Sequence, residues 1–210
     1  MQDAIPRPYH HGDLRAALVR AGVELAREGG LAALTLRAAT RRTGVSAGAA
    51  YRHFANHEDL TFAVGGVALA SMARAIERRQ AGATAGTELD RAHAMLRGVG
   101  LGYIDFALDD PGLFEVAMFG LFTLEHTAIE PARGERGRTP YELLVDAVTT
   151  FVTLGRLRAE ESFTVAITCW STVHGFATLA TRGPLRELPR EALDEQAAEV
   201  VRTLVAGLLP

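Results

Sequence analysis

Lysine is absent from this chain, cysteine and tryptophan occur once each, and no acidic residue falls between Glu28 and Glu58. The lone Cys169 cannot close an intramolecular disulfide, and it lies in an apolar stretch where a buried free thiol is the ordinary role. A reducing cytoplasm is therefore the expected location. Met1–Pro8 has no apolar core that could serve as a signal peptide, so export is not expected. No nucleophile motif, phosphate loop or metal-spaced His/Cys cluster is present. His126, His174, Asp105, Asp109, Asp110 and Glu115 stand without the companions that acid/base catalysis needs. Neither enzyme activity nor a cofactor or metal is expected. The missing lysine carries no functional meaning, since genome base composition produces an all-arginine chain as readily as a physical demand does.

What is present is enough to fold. With 210 residues, 48% of them hydrophobic, the chain can build one large or two modest domains with real cores. The formal charge of −3 is unevenly spread. Arg37, Arg41, Arg42 and Arg52 all fall in the acid-free window, with His53 and His57, making a local basic footprint of the kind a phosphate backbone rewards. Ser162–Thr181 runs for 20 residues without a formal charge, which is membrane-spanning length. It also holds seven hydroxyl residues and His174, so a helix buried between protein neighbours is the better reading.

No segment shows sustained period-2 alternation of β-branched residues, and Gly/Pro breaks separate long stretches of helical period, so the fold class is all-α. Leu14, Leu18, Ala21 and Leu25 predict a first helix over about 12–28, stopped at Gly29–Gly30. Thr35 caps a short helix ending near Thr43, Gly44 turns, and Ser46 caps the next through Phe54. Asn56 caps a fourth helix, with Glu58 and Asp59 in its first turn where the dipole favours them, running to the Arg78–Arg79 region. After the Gly82–Gly86 break, further helices are expected at about 87–108, 111–122, 139–157, 161–182 and 190–209. Pro131, Gly134, Gly137 and Pro140 predict a loop over 126–139.

Two short helices joined at Gly44 have the spacing of a helix-turn-helix, whose second helix enters the major groove. Plain structural hairpins share that spacing, with Arg37, Arg41 and Arg42 on a solvated face. The residues themselves go further. Tyr9-His10-His11-Gly12-Asp13-Leu14, Leu34-Thr35-Leu36-Arg37, Gly44-Val45-Ser46, Ala50-Tyr51-Arg52-His53-Phe54 and His57-Glu58-Asp59-Leu60 resemble the N-terminal domain of TetR-family regulators over about residues 9–65. That resemblance implies a DNA-binding domain over 9–65, a linking helix over about 57–81, and an effector-binding and dimerisation domain over 83–210. It puts Thr35 and Tyr51 on phosphates, Arg37 near a base or phosphate, Ala47, Gly48 and Ala49 against base edges, and His53 on backbone. Arg41, Arg42, Ser46 and Arg52 complete the expected DNA face. His57 stands where the family often has lysine. Thr40 and Ala39 also depart from the family pattern, and a hydroxyl at Thr40 can bond back to its own helix. Because residues 47–49 are small, no bidentate base contact can come from them.

The last helix carries a stripe of Leu193, Ala197, Val200, Leu204 and Leu208, which reads either as intramolecular core or as a dimer seam. TetR-like proteins pair their last two long helices across a two-fold, which implies a homodimer through about 161–182 and 190–209. Trp170 and His174 occur in a run that resembles the Trp-x-x-x-His-Gly signature of a TetR C-terminal subfamily. His174 either packs or lines an effector cavity. A cavity would be built from Phe106, Phe114, Met118, Phe119, Phe122, Tyr141, Phe151 and Trp170, implying a small apolar or aromatic effector. The function expected is a ligand-responsive repressor on a palindromic operator. A sequence-neutral architectural DNA-binding protein is the alternative, and it would demand a broader basic surface than this chain's charge provides.

Overall fold

A computed structural model describes residues 11–120 and 130–209 of the chain. Among these residues there are nine α-helices and no strand. Phe122, His126 and the Tyr9-His10 start of the first motif lie outside the described residues.

Helix α1 (His11–Ala33) buries Leu14, Leu18, Ala21 and Leu25, and its helical geometry breaks at Gly29 and Gly30, where the sequence predicts a stop. Gly30 has φ of 62°, a left-handed value that glycine adopts without strain. Helix α2 (Leu36–Thr43) starts where the Ala38 N–H donates to the Thr35 hydroxyl at 3.1 Å, and it ends on left-handed Gly44. Helix α3 (Ala47–Tyr51) is capped by Ser46, whose hydroxyl accepts from the Ala49 N–H at 3.2 Å. It stops three residues short of the predicted Phe54, because Arg52 and His53 turn to bring buried Phe54 onto the Ala50 carbonyl at 3.0 Å. Helix α4 (His57–Gln80) is capped by Asn56 and carries Glu58 and Asp59 in its first turn.

Helix α5 (Glu88–Asp109) and α7 (Pro140–Thr153) each open on a capping box, Thr87 with Asp90 and Thr139 with Glu142. Between them, α6 (Pro111–Phe119) is capped by Asp110 and ends at extended Gly120, earlier than the expected 122. Left-handed Gly155 follows the end of α7 soon after Thr153, before the expected 157. Helices α8 (Ser162–Thr181) and α9 (Arg190–Leu208) complete the body. The carboxylates weighed as acid/base groups have structural partners: Asp105 pairs with Arg79, Asp109 with Arg190, Asp110 with Arg27 and Glu115 with Arg182.

Helix α5 is the centre of the body and packs on α4, α6, α7, α8 and α9. It does so through glycines. A Cβ at Gly102 would stand 2.6 Å from the Ile76 backbone nitrogen and 2.8 Å from the Ala75 carbonyl oxygen, both on α4. Gly98, one turn earlier, faces Gln80 of α4 in the same way, while Gly100 faces Val201 of α9 at 3.0 Å. Along α9, Leu193 and Ala197 are buried with Val201, Val205 and Leu209, whereas Val200, Leu204 and Leu208 flank this row. Leu193 and Ala197 of the stripe therefore belong to the chain's own core, Val200, Leu204 and Leu208 are half-buried beside it, and the far side of α9 exposes Glu195, Glu199 and Arg202.

Among the described residues two helices, His57–Gln80 and Ala159–Thr181, are long and apolar enough to cross a membrane by length and composition alone. The first is the core helix α4. The second has only 39% of its apolar window buried within the chain. One side of α8 packs on α5, α7 and α9. The other exposes Phe163, Ser171, Gly175 and Leu179, so the burial on both faces expected from its composition is not achieved by one chain.

The backbone atoms facing Gly102 cannot rotate aside, so Gly102→Ala must separate α4 from α5. It should destabilise the chain by about 1–3 kcal/mol in chemical denaturation. The same change at exposed Gly82, where a Cβ meets nothing within 4 Å, should stay within about 0.5 kcal/mol.

Candidate functional site

Helices α2 and α3 present one exposed surface. Thr35, Arg37, Arg41, Ser46, Ala47, Gly48, Tyr51 and Arg52 are exposed on it, Ala49 and His53 are half-buried, and His57 is exposed at the start of α4. Tyr51 is 59% exposed. A Cβ at Gly48 would meet nothing within 4 Å, so the fold itself does not require glycine there. The Thr40 hydroxyl donates back to the Arg37 carbonyl at 2.8 Å, as its position suggests, and Ala39 is buried.

Charge on this surface differs from the linear count. Arg37, Arg41 and Arg52 have no acidic partner among the described residues. Arg42 does: its guanidinium donates to both Glu28 oxygens at 2.7 and 2.6 Å and lies 3.5 Å from Glu24. The hydrogen bonds from Arg42 hold the Glu28 carboxyl below its ordinary range, and the reciprocal bonds raise Arg42. The acid-free window is acid-free only along the chain, because the end of α1 lies against α2 and supplies the missing carboxylates. A further contact went unread in the sequence: the Arg15 guanidinium sits 5.1 Å from the centre of the Phe54 ring, bracing α1 on the end of the helix-turn-helix.

The body encloses a cavity of about 50 Å³ between α4, α5, α7, α8 and α9, with Met118 of α6 at its edge. Among its lining residues only Tyr103, Tyr141, Cys169 and Trp170 carry a polar side-chain atom besides the methionine thioethers. Of the residues expected to form a cavity, Met118, Tyr141 and Trp170 line this one, the last two with ring centroids 5.9 Å apart. Phe106, Phe114 and Phe151 do not. Phe114 is fully buried edge-on against Tyr103 at 5.8 Å, Phe151 packs edge-on against His93 at 5.1 Å, and Phe106 belongs to the core. Phe119 is exposed at the end of α6, against the His174 ring at 5.7 Å.

His174 lies behind the wall rather than in it. Its Nδ1 is 2.8 Å from the Tyr103 hydroxyl, which does face the cavity. That hydroxyl also donates to the Met118 thioether at 2.9 Å. Burial holds the Tyr103 phenol well above its ordinary range, so it stays protonated. Burial likewise pushes the Cys169 thiol up to about 11, which leaves it inert as a nucleophile at neutral pH. Tyr103 is the residue that sequence reading missed. Its signal was the one hydroxyl in the otherwise apolar and small run 98–104 of α5, which once buried must find a partner.

The body and the helix-turn-helix meet through α6 and α1. A Cβ at Gly112 would collide with the Ala26 carbonyl oxygen, so α6 begins directly on the backbone of α1. Beside this, Arg27 pairs with Asp110 at 2.7 Å. Glu115 fills the space above Gly30 and pairs with Arg182 at 2.5 Å, while Arg182 caps the Phe119 ring at 4.7 Å.

Burial lowers the His174 pKa below the ordinary histidine value of 6.5. Its neutral form therefore stabilises the fold fully above about 6.5, and that contribution is lost as pH falls from there through the lowered folded value. The melting temperature should drop between pH 7.5 and 5. His174→Gln, which keeps an amide to meet Tyr103, should flatten that part of the profile; an unchanged slope would show that His174 does not set it.

The comparisons agree along the chain. Residues 18–64 match the bacterial regulatory proteins of the tetR family, and residues 96–204, more than half of the chain, match the tetracyclin repressor-like C-terminal domain. No curated protein matches it. Among solved structures, a Rhodococcus sp. RHA1 protein of unknown function is 25% identical with a TM-score of 0.71, covering 97% of this chain and 100% of its own. A TetR-family transcriptional regulator from Pectobacterium atrosepticum shares the fold at 19% identity, with a TM-score of 0.64 and 95% of each chain covered. The multidrug binding protein EbrR, solved with imidazole, does so at 20% identity and a TM-score of 0.58, covering 99% of this chain and 98% of its own. The helix-turn-helix on a helical body is that of a DNA-binding transcriptional regulator, and the chain belongs to the TetR family.

Proposed function

We propose that this regulator is a ligand-responsive repressor that binds a palindromic operator as a homodimer. The observation that carries the reading is the exposed face of α2 and α3, where three arginines with no acidic partner among the described residues and an exposed Tyr51 surround a tip of small residues. Thr35, Tyr51 and His53 are assigned to the phosphate backbone, with Arg41 and His57 flanking them. Arg37 and Arg52 reach base edges from the side, and Ser46 to Ala49 approach closely enough for methyl and backbone contacts. Arg42 contributes only when it leaves Glu28.

Domain roles follow the same division: DNA binding over 9–65, a linking helix over about 57–81, and effector binding with dimerisation over 83–210. The dimer forms through α8 and α9. Supporting this, α8 exposes Phe163 and Leu179, 61% and 45% accessible, around Gly175, where no atom stands within 4 Å of a Cβ. A second copy covering that face would complete the burial that one chain leaves unfinished. The effector is small and apolar or aromatic, and its site is the cavity beside Tyr103; EbrR, with the same fold, is itself a multidrug binding protein.

Selection of bound fragments from the source genome by purified protein tests the whole reading, because an enriched inverted repeat gives half-site spacing and targets together. Arg37→Ala should relax sequence preference, and Tyr51→Phe should weaken binding to every sequence alike. Equal loss on operator and random DNA for Arg37→Ala would remove its role in readout. Glu28→Gln frees Arg42, so the dependence of DNA affinity on salt should steepen by about one phosphate contact per protomer. Glu28→Gln combined with Arg42→Ala should not show that steepening.

A further inference from the structure

We propose that Met118 occupies the effector's place in the ligand-free chain. The effector is then an uncharged, mostly apolar molecule whose single hydrogen-bond acceptor takes the Tyr103 hydroxyl over from the Met118 thioether. This rests on the cavity being the effector site.

The size of the cavity comes first. At about 50 Å³ it has room for a few waters at most, whereas sites for drug-sized ligands run to about 300 Å³ and more. A lining side chain must therefore withdraw. Met72 and Ile76 are fully buried in the middle of α4, and Val173 is held in the middle of α8. Met118 differs on each count. It is half-buried, it stands one residue from the end of α6, and its unbranched side chain can swing through three torsions without moving backbone.

The chemistry of the exchange comes next. With its proton on Nδ1, neutral His174 donates to the Tyr103 oxygen, which leaves the hydroxyl proton for the Met118 thioether. The hydroxyl's own proton points to Met118, and a thioether is a weak acceptor. A ligand carbonyl or ether oxygen is a better one, so replacing the sulfur strengthens the bond while the ligand's apolar body fills the vacated space. Among the described residues no charged side chain lines the cavity, so an ionised ligand would be desolvated there without a counter-charge.

Acetophenone, ethylbenzene and benzoate are three probes of similar size: an apolar ring with an acceptor, without one, and with a charge. They are titrated calorimetrically into the full-length wild type, Met118→Ala, and Met118→Ala combined with Tyr103→Phe, each checked for a cooperative melt. Met118→Val serves in place of the alanine variant if that does not fold. Removing the plug should tighten binding of both neutral probes relative to wild type. The plug-free variant should prefer acetophenone to ethylbenzene by about tenfold, the worth of one hydrogen bond. Tyr103→Phe should abolish that preference, and benzoate should not bind. Equal binding of acetophenone and ethylbenzene without Met118, or tighter binding of benzoate, overturns the proposal and leaves the cavity as an effector site. If none of the three probes binds the plug-free variant, the effector site is removed as well.

Discussion

Two helices can lie backbone to backbone only where one of them has no side chains in the way, and this constraint organises the whole body. Gly98 and Gly102 let α5 settle onto α4, and Gly100, on another side of the same helix, admits Val201 of α9. Because α4 is also the helix that enters from the DNA-reading end, its register is fixed by contact with main-chain atoms that have no rotamers to exchange. The cavity follows from the same arrangement, since Leu96, Val99 and Tyr103 stand on the remaining surface of α5 and meet the side chains of α4, α8 and α9 where the backbones diverge.

The junction between body and reading head repeats the device on a smaller scale. Gly112 sits on the Ala26 carbonyl, with an ion pair on either side, Arg27 with Asp110 and Arg182 with Glu115. Exposed ion pairs of this kind add little stability by themselves. Their geometric effect is larger, because they bring the end of α1, the first half of α6 and the end of α8 together at one place.

Local chemistry was legible in the sequence because it acts over three or four residues. Thr35, Ser46 and Asn56 cap the helices they announce, and Gly44 ends α2 in the left-handed conformation that suits glycine. The family was legible for a related reason: its motif is a run of such local signals. What could not be read was anything set by distant elements. Arg42 looked as available as Arg41 until α1 brought Glu28 beside it. The stripe on α9 could face either inward or toward a partner, and only the position of α5 places Leu193 and Ala197 in the chain's own core while Val200, Leu204 and Leu208 stay half-buried. Aromatic side chains gave the least guidance. Phe114 and Phe151 went to the core, while Tyr103, with no motif around it, became the polar centre of the cavity.

At the tip of α3, Ala47 and Gly48 are exposed, and the space beside Gly48 is empty. Nothing in the interior depends on which residues stand there, since the helix is held by its Ser46 cap and by buried Ala50 and Phe54. Foldability and the chemical character of this surface are therefore inherited separately. A lineage carrying this scaffold can exchange the tip residues freely, acquiring new preferences for what it touches while the rest of the molecule descends unaltered.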